Sequence, residues 1–140
     1  MALELSIVTP EGQSYDGAVE TVVLPGSEGE FGVLEGHERL LTALKSGPVE
    51  IRGVSGSASQ WAAVTGGFVE VAGERVVVMV DHCVLSGEID AAEEERNRSS
   101  AVDELRSLSG AEENDVRRSE LEKTVAVAEA RLETVARAQR

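Results

Sequence analysis

The chain has 140 residues, 41% hydrophobic and 28% charged, which suits one domain, or one small domain with an appendage, and excludes a large multidomain enzyme. A formal net charge of −13 excludes nucleic acid and an anionic membrane surface as direct partners, since both repel it, and favours a basic or neutral protein partner. With Cys83 as the single cysteine, no internal disulfide or cysteine-based zinc site can form, and the 3% aromatic content requires an aliphatic core.

Up to about Gly87 the pattern is that of short strands: "LELSIV", "AVETVVL", "EFGVL", "RLLTAL", "PVEIRG", "SQWAAVT", "FVEVA" and "RVVVMV", divided by Gly, Pro, Ser or Asp-Gly punctuation. Many short strands at close spacing point to a sandwich or a barrel. In the first run, Leu3, Leu5 and Ile7 alternate with Glu4 and Ser6, the period-2 signature of a sheet with one buried face. In "GGFVEV", Val69 and Val71 share one face while Phe68 takes the other, so both faces of that strand are expected to be covered. The opening "MALELSIVTPEG" lacks a basic flank followed by an apolar stretch, and no window nears the roughly 18 apolar residues of a membrane span. A soluble chain is expected.

From Ile89 onward Gly and Pro nearly vanish and the apolar spacing becomes helical, placing a boundary between residues 1–88 and 89–140. Asp90 with Glu93 forms a candidate N-cap, and Glu93, Glu94 and Glu95 put negative charge where a helix N-terminus favours it. The helix is expected to fade near Ser107, with Ile89, Ala92, Val102, Leu105 and Leu108 as its thin apolar set. The next start is either a capping box of Ser109 and Glu112 or a later cap at Asn114 or Asp115. Leu121, Val125, Ala128, Leu132 and Val135 then form one continuous stripe on a second helix, antiparallel to the first. Burying a Leu or Val gains roughly 1.5–3 kcal/mol, while ordering each residue costs about 1–2 kcal/mol, so a lone two-helix hairpin barely breaks even and must dock elsewhere. Residues 1–88 hold 13 acids and 4 bases, and residues 89–140 hold 13 acids and 9 bases, so most of the positive charge lies on the helices.

Few residues invite chemistry. In "GSEGEFG", Gly26, Gly29 and Gly32 are three apart, which is neither a dinucleotide-binding nor a P-loop pattern; a tight turn displaying Glu28 and Glu30 to a cationic partner fits better. His37 and His82 are the only histidines and have no carboxylates spaced to complete a metal site. No nucleophile elbow is present, and Cys83 beside His82 reads as a small residue at a strand end. The helical arginines are either a solvated face or a partner-binding surface.

Taken in order, "LSIVTPEG", "VVLPGSEGEFGVLEGHERLLTAL", "GPVEI", "GGFVEV", "VVVMVD" and "EID" before the helices closely resemble the epsilon subunits of bacterial F-type ATP synthases, the counterparts of the mitochondrial delta subunit. The resemblance is specific through residue 90; over the helices only length and pattern match. It implies an α+β chain: an N-terminal β-sandwich of about ten strands followed by a C-terminal antiparallel αα-hairpin. It also implies a noncatalytic rotor subunit at the cytoplasmic face of the bacterial inner membrane, without inserting into it and without a cofactor. By that resemblance Thr9, Glu28 and Glu30 lie at the c-ring loops, and His37 and Thr42 lie near gamma. Arg117, Arg118, Lys123, Arg131 and Arg137 are the hairpin cations that meet the alpha and beta subunits and inhibit ATP hydrolysis when the hairpin extends. Two departures stand out. Many members carry a proline two residues after "GH", where this chain reads "GHERLL". Some members bind ATP through Ile-Asp-x-x-Arg-Ala and two arginines four apart; here Asp90 and Arg131 remain as nucleotide candidates, but Glu93 and Val127 replace arginines, so ATP affinity is expected to be weak or absent. A nucleotide-sensing switch is therefore the alternative reading, and a β-sandwich adaptor with a helical dimerisation tail is a third.

Overall fold

The computed structural model describes residues 3–53 and 58–140. Ten strands come first: β1 (Leu3–Thr9), β2 (Gly12–Val19), β3 (Thr21–Gly26), β4 (Gly29–Leu34), β5 (Leu40–Leu44), β6 (Gly47–Arg52), β7 (Gln60–Val64), β8 (Gly67–Ala72), β9 (Arg75–Val80) and β10 (Cys83–Leu85). Two helices follow, α1 (Ala91–Ser107) and α2 (Asp115–Ala138). The strands run in the order β10-β7-β6-β3-β5-β8-β9-β1-β2, with β4 paired to β3. All pairs are antiparallel except β1 with β9.

The link between β3 and β5 is a single register pair, Gly26 with Leu44, flanked by backbone bonds from Ser27 N–H to Ala43 (3.0 Å) and from Lys45 N–H to Pro25 (2.9 Å). At this narrow seam the sheet folds over on itself into two layers, β4-β3-β6-β7-β10 and β5-β8-β9-β1-β2. The seam requires glycine: a Cβ on Gly26 would lie 2.5 Å from the Gly29 carbonyl oxygen and 2.9 Å from the Phe31 ring. Leu24, Val33, Val49, Ile51 and Val64 from one layer meet Leu3, Leu5, Ile7, Val69, Val71, Val76 and Val78 from the other in one aliphatic cluster. The period-2 reading of β1 thus holds for Leu3, Leu5 and Ile7, all fully buried. Ser6 is also buried, because its strand lies between β2 and β9; its hydroxyl donates to Asp16 at 3.2 Å.

Two strand expectations need correction, and two strands are only weakly marked in the sequence. "AVETVVL" is two strands, broken at Glu20 between β2 and β3. The strands β2 and β10 carry weak signals, because β2 is a largely exposed edge strand and β10 has 3 residues. The expectation that both faces of β8 are covered fails: Val69 and Val71 are buried, but Phe68 is 55% exposed and Glu70 lies open beside it. The reason is architectural, since the helices cover the opposite layer and leave the outer face of β5-β8-β9 without a third layer.

Asp90 caps α1 as expected, its carboxylate accepting from Glu93 N–H at 3.2 Å, and the helix ends at Ser107. Of the alternatives for the second start, the later one holds: a single 3₁₀ turn at Glu112–Asn114 leads into Asp115. Asn114 does not cap with its side chain, which donates back to the Ser109 hydroxyl (2.9 Å) and carbonyl (3.4 Å) and ties the connection together. Along α2 the predicted stripe is inward, with Leu121 and Ala128 buried and Val125, Leu132 and Val135 half-buried. The helix also buries a second face, Ala130 and Thr134, because α2 lies between α1 and the outer surface of β6 and β7. Such double contact supplies the docking that a two-helix hairpin needs. In α1 the inward positions are Glu94 and Ala101; Ala92, expected inside, is exposed because two residues, about 200° of helix, separate it from Glu94.

Candidate functional site

Cross-strand register builds an apolar row on the open layer. Ala43 of β5 pairs with Phe68 of β8, Phe68 with Met79 of β9, and Met79 with Val8 of β1, so four apolar side chains from four strands share one outward face. Next to them Leu41 is 66% exposed, Phe68 55% and Met79 43%. Val8, Thr9, Pro10, Phe68 and Met79 border a shallow depression of about 480 Å³. Exposed large apolar side chains grouped on a rigid sheet mark a protein-contact surface. The signal for it was present in the sequence: "LLTAL", "FVEV" and "VVVMV" carry apolar residues in both phases of the strand, more than one core needs.

The residues expected at the c-ring fall into two environments. Thr9 borders the apolar depression, and its hydroxyl is used locally, donating to the Gly12 carbonyl and accepting from Glu11 N–H, both at 3.2 Å. Glu28 stands exposed in the two-residue turn between β3 and β4, where Gly29 takes a φ of 137° that a side chain disfavours. Glu30, on β4, is held by the hairpin: Arg137 Nη2 lies 2.7 Å from its carboxylate and 2.8 Å from Glu133. Hydrogen bonds to Glu30 and then Glu133 raise the Arg137 pKa, although burial opposes them.

The two residues expected near gamma are also separate from the apolar row. His37 sits in the turn after β4; its N–H donates to the Leu34 carbonyl at 3.1 Å, and its Nδ1 donates to the Glu38 carbonyl at 2.8 Å, which defines the tautomer. Thr42 is half-buried on the inner side of β5, opposite the core residue Val69.

Four of the five hairpin cations are occupied within the chain. Arg117 grips Glu104 with Nε and Nη2 at 2.6 and 2.8 Å, pulling that carboxyl below its ordinary range, and reaches Glu120 at 3.3 Å. Arg118 bonds Asp115 (2.8 Å) and the Ser109 carbonyl (2.6 Å). Arg131 bridges to Glu94 of α1 at 3.0 Å in the more buried of these pairs, and Arg137 is taken by Glu30 and Glu133. Lys123 has no ion pair among the described residues and lines a crevice of about 610 Å³ between the hairpin and the sandwich, together with Thr65, His82, Glu94, Val127 and Arg131. The nucleotide candidates do not combine there: Asp90 is spent as the α1 cap, Arg131 is neutralised by Glu94, and Glu94 itself would repel a phosphate. Among the described residues no group of three or more His, Cys, Asp or Glu could hold a metal ion, and no helix is long and apolar enough to cross a membrane. Cys83 begins β10 opposite Val64, as a strand-end residue; burial first, then Glu88, pushes its thiol up to about 11. Glu94, as the partner of Arg131, and the apolar row are the features of these surfaces that the sequence reading did not single out.

Comparison with known proteins bears on this geometry. Residues 2–86 match the family described as ATP synthase, Delta/Epsilon chain, beta-sandwich domain. The chain is 46% identical over 82 residues to the ATP synthase epsilon chain of Helicobacter acinonychis, covering 59% of this chain and 65% of that one. It is 39% identical over 106 residues to the epsilon chain of Helicobacter pylori, covering 76% and 80%, and 40% identical over 105 residues to that of Magnetococcus marinus, covering 75% of each. In fold it resembles a chain in the Euglena gracilis mitochondrial ATP synthase OSCP/F1/c-ring structure, with a TM-score of 0.79, 22% identity and coverage of 92% and 78%. A chain of the Tetrahymena thermophila mitochondrial central stalk and c-ring gives a TM-score of 0.54 at 16% identity, covering 100% and 98%.

Proposed function

From the premise that this chain belongs to the ATP synthase delta/epsilon family, we propose that it is a noncatalytic central-stalk subunit that links gamma to the c-ring for proton-driven ATP synthesis and restrains ATP hydrolysis through its helices. The observation that carries the reading is the outward row Ala43–Phe68–Met79–Val8 with Leu41 beside it, a rigid apolar surface that no element among the described residues covers. Gamma is its natural occupant, because a torque-transmitting contact needs a stiff, well-packed interface on a sheet rather than on a loop. Residues 1–88 form the rotor foot, with Glu28 and Glu30 offered to cationic c-ring loops, Thr9 at the edge of the apolar face and His37 toward gamma; Thr42, turned inward on β5, supports that face from beneath. The subunit is peripheral, at the cytoplasmic face of the bacterial inner membrane.

Residues 89–140 form the regulatory arm. Arg117, Arg118, Arg131 and Arg137 are satisfied by this chain's own acids when the arm is docked. An acidic segment of the beta subunit offers the same chemistry, so lifting the arm exchanges the Arg137–Glu30 pair, and parting its two helices exchanges Arg117–Glu104 and Arg131–Glu94, carboxylate for carboxylate at little net electrostatic cost, while Arg118–Asp115 lies within α2 and is kept. Lys123, with no such partner among the described residues, gains one outright. The test is the ATPase activity of the assembled complex with the whole chain and with a chain ending at Ile89. Higher hydrolysis with the shortened chain is expected; equal rates would remove the inhibitory role, and failure of gamma to co-purify with either form would remove the stalk assignment.

A further inference from the structure

We propose that Glu30 is a shared acceptor: Arg137 covers it when the hairpin is docked, and a cationic partner loop can take it fully only when the last turn of α2 lets go. The inference rests on the reading of Glu30 as a rotor-foot contact and adds a coupling between that contact and the regulatory arm. The residue stands on β4, next to the β3–β4 turn that displays Glu28. Its carboxylate is 2.7 Å from Arg137 Nη2, with the two side chains 42% and 26% exposed, so the pair lies at the surface, within reach of both a partner and solvent. A second guanidinium or ammonium approaching Glu30 meets the charge of Arg137, so the two cations compete for one carboxylate. Glu50 of β6 also feels the Arg137 charge and favours the docked state, whereas Glu133, four residues earlier on α2, lies 2.8 Å from Arg137 and remains its partner whether α2 is docked or not. Reciprocity follows: whatever binds Glu30 loosens the end of α2, and whatever releases α2 strengthens binding at Glu30 by the same factor.

The chain carries its own reporter. Trp61, the only tryptophan, lies on β7 and borders one surface depression together with Arg137, Ala138 and Arg140 at the end of α2. Acrylamide quenching of Trp61 therefore reads docking of that turn in the full-length protein. In the wild type, quenching rises as NaCl is raised from 20 to 500 mM; Glu30→Gln and Arg137→Gln begin at the raised value and lose the salt response, and the charge exchange Glu30→Arg with Arg137→Glu brings quenching only part of the way back, because Glu133 and Glu50 repel a carboxylate at position 137. Single variants indistinguishable from wild type at low salt would overturn the latch. The coupling is read from the affinity of the full chain for a gamma–c-ring assembly: Arg137→Gln tightens binding about two- to fivefold, the range of an exposed ion pair, and Glu30→Gln weakens it. Arg131→Gln, which removes the pair joining α2 to Glu94 of α1 inside the hairpin and leaves Glu30 covered, produces no tightening. If Glu30→Gln weakens binding but Arg137→Gln does not strengthen it, or if Arg131→Gln strengthens it equally, the sharing is wrong and the rotor contact stands. If Glu30→Gln leaves binding unchanged, the rotor contact itself is wrong, whatever Trp61 reports.

Discussion

Phe68→Ala offers the sharpest test of the open sheet face. A phenylalanine buries about 150–250 Å² when fully covered. With 55% of Phe68 exposed, roughly 110 Å² remains for a partner to bury. At about 25 cal/mol per Å² that is about 2.8 kcal/mol, and imperfect packing at a real interface brings it to about 2 kcal/mol, or roughly a 30-fold rise in Kd. The fold should hardly respond. Val69 and Val71 supply the buried face of β8, and the loss from an outward position stays within about 1 kcal/mol. Titration calorimetry of gamma against wild-type and substituted chains, with thermal unfolding run in parallel, separates the two quantities. A Kd that changes less than about threefold while folding is intact would refute the assignment of this face to gamma.

Other expectations are independent of that interface. Gly67→Ala places a Cβ 2.1 Å from the Met79 carbonyl oxygen and 3.0 Å from Val80, backbone that cannot yield, so urea unfolding should show at least about 1–3 kcal/mol of lost stability. Leu5→Ala, in the middle of the core, should cost about 2–5 kcal/mol in the same assay; a loss below 1 kcal/mol would mean that the two layers do not meet as described. Because burial raises the Cys83 thiol to about 11, the folded state holds the proton longer than the unfolded chain does; alkylation should be slow at pH 8 and still accelerating above pH 10, and a rate that levels off near pH 9 would contradict this. Calorimetry with millimolar ATP should show little heat, whereas saturable binding would show that the Glu94–Arg131 pair opens for a ligand and would revive the nucleotide-sensing reading.

The division of labour between sequence and tertiary structure follows the range of the interactions involved. Alternation in Leu3, Leu5 and Ile7, the change of period after Ile89 and the Asp90 cap are local facts of backbone geometry, so a body of short strands, the hairpin and the start of α1 were legible in the residues alone, while the choice of sandwich over barrel came from the family resemblance. The loop acids were legible as exposed charge, but not their partners. That Glu30 meets Arg137 depends on which face of the sheet the hairpin settles on, and that Glu94 meets Arg131 depends on the register between α1 and α2; no periodicity encodes either. The same choice of face decides that Phe68 is open: its strand is apolar on both sides, and only the placement of α2 over β6 and β7 rather than over β8 determines which side stays uncovered. Short-range propensity writes the elements, and long-range packing of charged and apolar surfaces assigns their partners.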